Sequence, residues 1–301
     1  MRSAPPTDDV LARIRAVLDT PLEALELSRR EAGWIALAAD RVAFAPDDDR
    51  GWQRLQREAW LLARWRAAAI PAPRVLLDAP SHRVQVRERL GGLSGHDLHT
   101  EADHSPLFTG TLPDVHARLD DAPLSAFGET LAASYGELAA RIRRAVTVAD
   151  ARAAGLDRTS RGTLDVDAAI ARLDASTASP AAKRAAHAAR DWLVALPPPD
   201  AVIHADLHFF NLCAAPDGTI SGVFDVGDAG IDSAATELMY VHSLGSRFAR
   251  IAMAAYGPID LDQVRQAHLR TALDHLIWHG PGTPRHASIV AWATAAFERL
   301  A

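Results

Sequence analysis

The 301-residue chain has one cysteine, Cys213, and one lysine, Lys183. A single cysteine closes no intrachain disulfide and builds no cysteine zinc cluster. Cys213 is expected in the core, where free thiols usually lie. No apolar stretch approaches the roughly 18 residues that cross a bilayer, so no membrane partner is expected. Residues 1–9 hold prolines and acids where a secretory leader would carry an apolar run. The expected localisation is soluble and cytoplasmic. Positive charge is not in excess: 32 Lys and Arg stand against 38 Asp and Glu, a formal charge of −6. That argues against a nucleic-acid partner, which needs a basic face to displace counterions. No P-loop, GxSxG or HExxH occurs, which counts against P-loop NTPases, α/β-hydrolases and zincins. The first forty residues also lack a glycine-rich loop, because Gly33 stands alone there.

Apolar residues make up 49% of the chain, enough for a substantial core in one large or two medium domains. Residues 10–18 carry apolar positions at helical spacing, with Thr7 or Asp8 as cap. Residues 22–46 read as a small antiparallel sheet, 47–50 as a polar loop and 53–68 as a helix. Two further strands are expected at 75–77 and 83–88. The glycines 91, 92 and 95 then mark a joint between an N-terminal lobe over 1–90 and a C-terminal one over 91–301. Beyond the joint, helices are predicted near 111–121, 127–147, 164–173, 180–196, 233–256, 261–278 and 287–300. Residues 150–163 read as a polar, irregular excursion.

The richest stretch runs from Val202 to Gly227, VIHADLHFFNLCAAPDGTISGVFDVG. Residues 201–203 look like a buried strand entering a polar loop. Residues 212–215 and 220–224 look like hairpin arms around the turn Pro216-Asp217-Gly218. A hairpin brings its ends together, here Asn211 and Asp225. A carboxamide oxygen beside a carboxylate forms a hard-oxygen site suited to Mg2+. Asp206 precedes them and could accept a proton from an attacking hydroxyl. A base followed by two metal ligands is the parts list of phosphoryl transfer.

These residues resemble the aminoglycoside phosphotransferase and choline kinase family. His204-x-Asp206-x-x-x-x-Asn211 followed by Phe224-Asp225-Val226-Gly227 is similar to its signature, with Ala205 where the family usually has Gly. The resemblance extends to the helix around Glu58 and to the hinge segment 84–92. It implies an α+β, bilobal, protein-kinase-like fold and transfer of phosphate from ATP or GTP to a hydroxyl of a small molecule, aminoglycosides first. It also implies roles. Asp206 is the base, supported by His204, with Asn211 and Asp225 on Mg2+. Glu58 lies at the nucleotide, and Glu88 and Leu90 hold adenine through their backbone. Asp228, Asp232 and Glu237 fall on the substrate side, and 96–104 joins the substrate pocket.

One departure is serious. The family carries a Lys on the third strand, paired with the helix Glu. Phe44 stands at that position, and Arg41 is the nearest cation, so Glu58 is expected to lack its usual partner. Two alternatives stay open. One is a catalytically impaired pseudokinase that acts as a binding module. The other is a metal-dependent hydrolase using His204, Asp206 and His208.

Overall fold

The structure, a computed structural model, describes residues 7–30, 33–94, 107, 123–159 and 163–300. The expected helix near Thr111 and the stretch 96–104 lie outside these residues. The chain divides into two compact units, Met1–Gly92 with Ser221–Gly227, and Leu93–Ile220 with Asp228–Ala301. The class is α+β, with the antiparallel sheet in the smaller unit and most helices in the larger one.

In the smaller unit, α1 (Asp8–Arg15) starts where the Thr7 hydroxyl accepts the Val10 N–H. Strands β1 (Glu26–Arg30), β2 (Gly33–Leu37), β3 (Arg41–Pro46), β4 (Val75–Ala79) and β5 (Val84–Glu88) form one antiparallel sheet in the order β1-β2-β3-β5-β4. The register sets Phe44 on β3 opposite Gln85 on β5, and Val42 opposite Arg87. Helix α1 buries Val10 and Ile14 against Trp34, Ala43 and Val86 of the sheet. Helix α2 (Asp49–Ala67) begins before residue 53, inside the expected polar loop. The reason is local. The Asp48 carboxylate accepts the Gly51 N–H at 2.8 Å, a cap worth about 1 kcal/mol. Segment Ser221–Gly227 is tied to this unit by the Val223 N–H donating to Pro71 O and the Ser221 hydroxyl donating to Gly91 O.

The larger unit holds β6 (Leu93–Ser94), which pairs with β8 (Leu212–Ala214). Helix α3 (Ala126–Ala145) is followed by α4 (Val148–Ala153), α5 (Val166–Asp174), α6 (Pro180–Ala188) and α7 (Arg190–Val194). Then come β7 (Ala201–Ile203), β9 (Ile220–Val223), which starts at the edge of this unit, and β10 (Gly230–Asp232). Helices α8 (Ser246–Tyr256), α9 (Leu261–Trp278) and α10 (His286–Leu300) close the chain. Helix α3 lies close against α8, because a Cβ on Gly136 would sit 2.0 Å from Ala252 O. The main core of the unit includes Leu173, Leu193, Leu269, Leu273 and Phe297.

Three expectations change. Residues 148–153 form a helix, and Thr159 and Asp157 bond the backbone of Ile231 instead of standing apart as an irregular excursion. The single helix expected over 180–196 is two. Residues 233–256 open with 3-10 turns, Ala234–Leu238 and Val241–Leu244, and turn α-helical only after Gly245, whose φ is +91°. Cys213 is buried, as expected. Among the described residues, no helix is long and apolar enough to cross a membrane.

Candidate active site

In the larger unit the loop after β7 carries His204, Asp206 and Asn211. Strand β7 is wholly buried and pairs antiparallel with β10, Ile203 facing Gly230 and Ala201 facing Asp232. The chain leaves β7 through Ala205 at φ +64°, a left-handed conformation that L-residues avoid. That geometry explains why glycine is the usual residue at this position in the family resembled. Glu237 holds the strained bend. Its Oε2 accepts the N–H of His204 at 2.9 Å and of Ala205 at 3.2 Å. Tyr135 on α3 donates its hydroxyl to Leu207 O at 2.7 Å, fixing the next residue.

The loop then closes on itself. The His208 N–H donates to Asp206 O, and the Asn211 N–H donates to His208 O. Around the Asp206 carboxylate, the Tyr240 hydroxyl donates to Oδ1 at 2.9 Å and Asn211 Nδ2 donates to Oδ2 at 2.9 Å. His208 Nε2 lies 3.4 Å from Oδ2, and its ring stands edge-on to Tyr240. Donors on both oxygens fix the direction of the carboxylate. Since Nδ2 of Asn211 serves Asp206, its Oδ1 is the atom left for a cation. His204 is fully buried, and its Nδ1 accepts the Asp206 N–H at 3.3 Å. It supports the loop from below. The hydrolase alternative needs His204, Asp206 and His208 to turn toward one point, and His204 faces its own loop. Among the described residues, no group of three or more His, Cys, Asp and Glu is placed to hold a metal ion.

Two of the three acids read as substrate-facing are spent inside the fold. Glu237 is 1% exposed and bonded as above. Asp232 is 7% exposed; its carboxylate accepts the Thr159 hydroxyl and, at 2.7 Å, the Ser233 N–H. Both side chains close backbone and hydroxyl bonds that the sequence pattern leaves invisible. Asp228 alone of the three is exposed.

Burial pushes the Glu237 carboxyl up to about 8, against the two amides that pull it down. Its second oxygen, Oε1, is buried without a partner, which adds to the cost of the charge. A carboxyl raised in the folded state holds a proton that the unfolded chain has released. Its contribution to stability is therefore full below about 4.5 and is lost as the pH rises through about 8. Chemical denaturation of the wild type and Glu237→Gln from pH 5 to 9 should show the wild type alone losing stability over that window. Parallel curves would mean that Glu237 is already ionised in the native state.

In the smaller unit, Glu58 on α2 does not lack a partner. Arg87 Nη2 donates to its Oε2 at 2.8 Å, and Arg54 Nε donates to its Oε1 at 3.0 Å. Arg87 comes from β5, one strand over from the expected lysine position. Its guanidinium lies over the ring of Phe44, 4.5 Å from the centroid. Arg41, the expected substitute, is bound to neighbouring Asp40 through two bonds of 2.8 Å at the exposed start of β3. It does not bond Glu58, because its strand register places it opposite Glu88. The Glu88 N–H donates to Arg74 O, so this amide is occupied; Leu90 follows beyond the end of β5. Asp225 is exposed at φ +59°, two residues before Gly227, whose backbone is covered by Arg54. Sequence reasoning missed Arg54, Arg87 and Tyr240. Only Arg87 left a signal, as a cation inside a buried strand of a chain with no lysine nearby.

A family model described as the phosphotransferase enzyme family matches residues 42–267. No curated protein matches the chain in sequence. Among solved structures, the GDP and kanamycin complex of APH(2")-IIia is 18% identical, with 96% of each chain covered and a TM-score of 0.63. The macrolide 2'-phosphotransferase MphH from Brachybacterium faecium is 20% identical, covering 96% of this chain and 97% of its own, with a TM-score of 0.59. The streptomycin-ATP-APH(2")-IIa ternary complex is 13% identical over 98% and 99%, with a TM-score of 0.62. The likeness is one of fold, the kinase-like arrangement of an antiparallel sheet and a helical unit.

Proposed function

The chain belongs to the phosphotransferase enzyme family, and from that premise we propose that it moves the terminal phosphoryl group of ATP or GTP to a hydroxyl of a small molecule, an aminoglycoside-like alcohol first. The observation that carries this reading is the Asp206 carboxylate, aimed by Tyr240 and Asn211 on a loop pinned by Glu237. Such a group accepts the proton of the attacking hydroxyl as the phosphoryl group transfers. Asn211 Oδ1 and the exposed Asp225 carboxylate are hard-oxygen donors that fit Mg2+, and we assign the metal to them. When bound, the ion would neutralise charge on the nucleotide's phosphates. We place Asp228, the exposed one of the three acids, toward a cationic group of the substrate; similar structures are complexes with kanamycin and streptomycin.

The test is a coupled ADP and GDP release assay across aminoglycosides, macrolides, amino alcohols and sugars. Stimulation by one compound fixes both acceptor and nucleotide. A flat response to every compound, with no Mg-dependent nucleotide binding by calorimetry, would rule the reading out. Nucleotide binding without any product would favour the pseudokinase alternative.

A further inference from the structure

The family's strand lysine normally does two things at once: it balances the helix glutamate and it meets the nucleotide's phosphates. Here the first task is filled by Arg87, which is buried, with a side-chain exposure of 4%, and bound to Gln85 and Glu58. Phe44 occupies the lysine's place and carries the Arg87 guanidinium on its face. A cation so enclosed is spent within the unit, which leaves the second task open.

Arg54 has the features that the second task needs. It lies one turn before Glu58 on α2, and its Nε is fixed by the Glu58 carboxylate. Its side chain is 41% exposed, and among the described residues its two terminal nitrogens carry no carboxylate partner. The guanidinium rests on Gly227, where an added Cβ would lie 1.7 Å from Nη2. Only a residue without a side chain lets the cation settle there. The position follows Asp225 by two residues along the same segment. A guanidinium fixed at one nitrogen, on a side chain that keeps this exposure, is preorganised for a phosphate oxygen.

We propose that the work of the missing lysine is split between two arginines: Arg87 neutralises Glu58, and Arg54 binds the phosphates of the nucleotide. This rests on the phosphotransferase reading given above. No covalent step is involved. The prediction is specific to phosphate. Whichever of ADP or GDP the wild type binds with Mg2+, Arg54→Ala should bind about ten- to a hundredfold more weakly. The parent nucleoside, which has no phosphate, should bind both proteins within about twofold. Arg54→Lys should recover part of the loss. If the Ala variant unfolds, Arg54→Gln, which keeps a donor near Glu58, serves the same comparison. Unchanged diphosphate affinity, or equal losses for nucleoside and diphosphate, would overturn the proposal, since the first leaves Arg54 idle and the second makes it structural. A wild type that binds neither nucleotide would remove the phosphotransferase reading itself, and this inference with it.

Discussion

Replacing Asp206 by Asn should lower turnover at least about a hundredfold, with little change in folding. The substitution keeps the side chain's shape and one oxygen, so either Tyr240 or Asn211 retains an acceptor there. What it loses is a group able to take a proton. The drop should appear in kcat, whereas KM for the nucleotide should stay within a few-fold, because the loop remains anchored through Glu237 and Tyr135. Steady-state rates beside a thermal melt distinguish the outcomes. Near-wild-type turnover would take Asp206 out of the chemistry. A collapsed melt would show that its two bonds hold the loop more than they aim the carboxylate.

Arg87→Met should have the largest effect on stability, about 3 kcal/mol. Breaking a buried ion pair from one side leaves the other charge without its counterpart. Glu58 has a side-chain exposure of 11%, so solvent compensates poorly, and Arg54 alone remains to balance it. That surviving partner sets the expectation at the lower end of the range for such cuts. Gln85 also loses the donor to its Oε1. The informative comparison is a double-mutant cycle. Adding Glu58→Gln to Arg87→Met removes the orphaned charge and should restore most of the loss. If the double variant is no better than the single one, the pair contributes packing of Arg87 on Phe44 in place of charge balance.

The contrast between Arg87 and the loop residues shows where the sequence was readable. Strand 201–203, the turn at 216–218 and the helix 261–278 were legible because each rests on neighbours in sequence: an apolar run, a turn tripeptide with Gly218 at φ +91°, and an unbroken run without Gly or Pro capped by Asp260. The order His204, Asp206, Asn211 was legible for the same reason. The partner of Glu58 was not, because it depends on which strand lies beside β3, and that pairing joins residues more than forty positions apart. Arg41 was the nearest cation in sequence, and proximity along the chain was the wrong measure. Tyr240 reaches Asp206 from the joint between two short 3-10 turns, in a stretch whose pattern reads as ordinary helix. Asp232 and Glu237 read as substrate-side acids, since no pattern marks a carboxylate that folds inward to meet backbone amides. The start of α2 was misjudged for a smaller reason. Asp48 both ends a polar run and caps the helix, and only its bond to Gly51 decides between the two.

The segment Ser221–Gly227 belongs to the unit otherwise made by Met1–Gly92. The ribosome therefore releases the first unit incomplete. Its sheet can form early, but the bonds from Val223 to Pro71 and from Ser221 to Gly91 must wait for most of the helical unit to be synthesised. Arg54 has no glycine to rest on until then. A fragment ending at Gly92 would carry Glu58 and Arg87 but would lack both Asp225 and the glycine beneath Arg54.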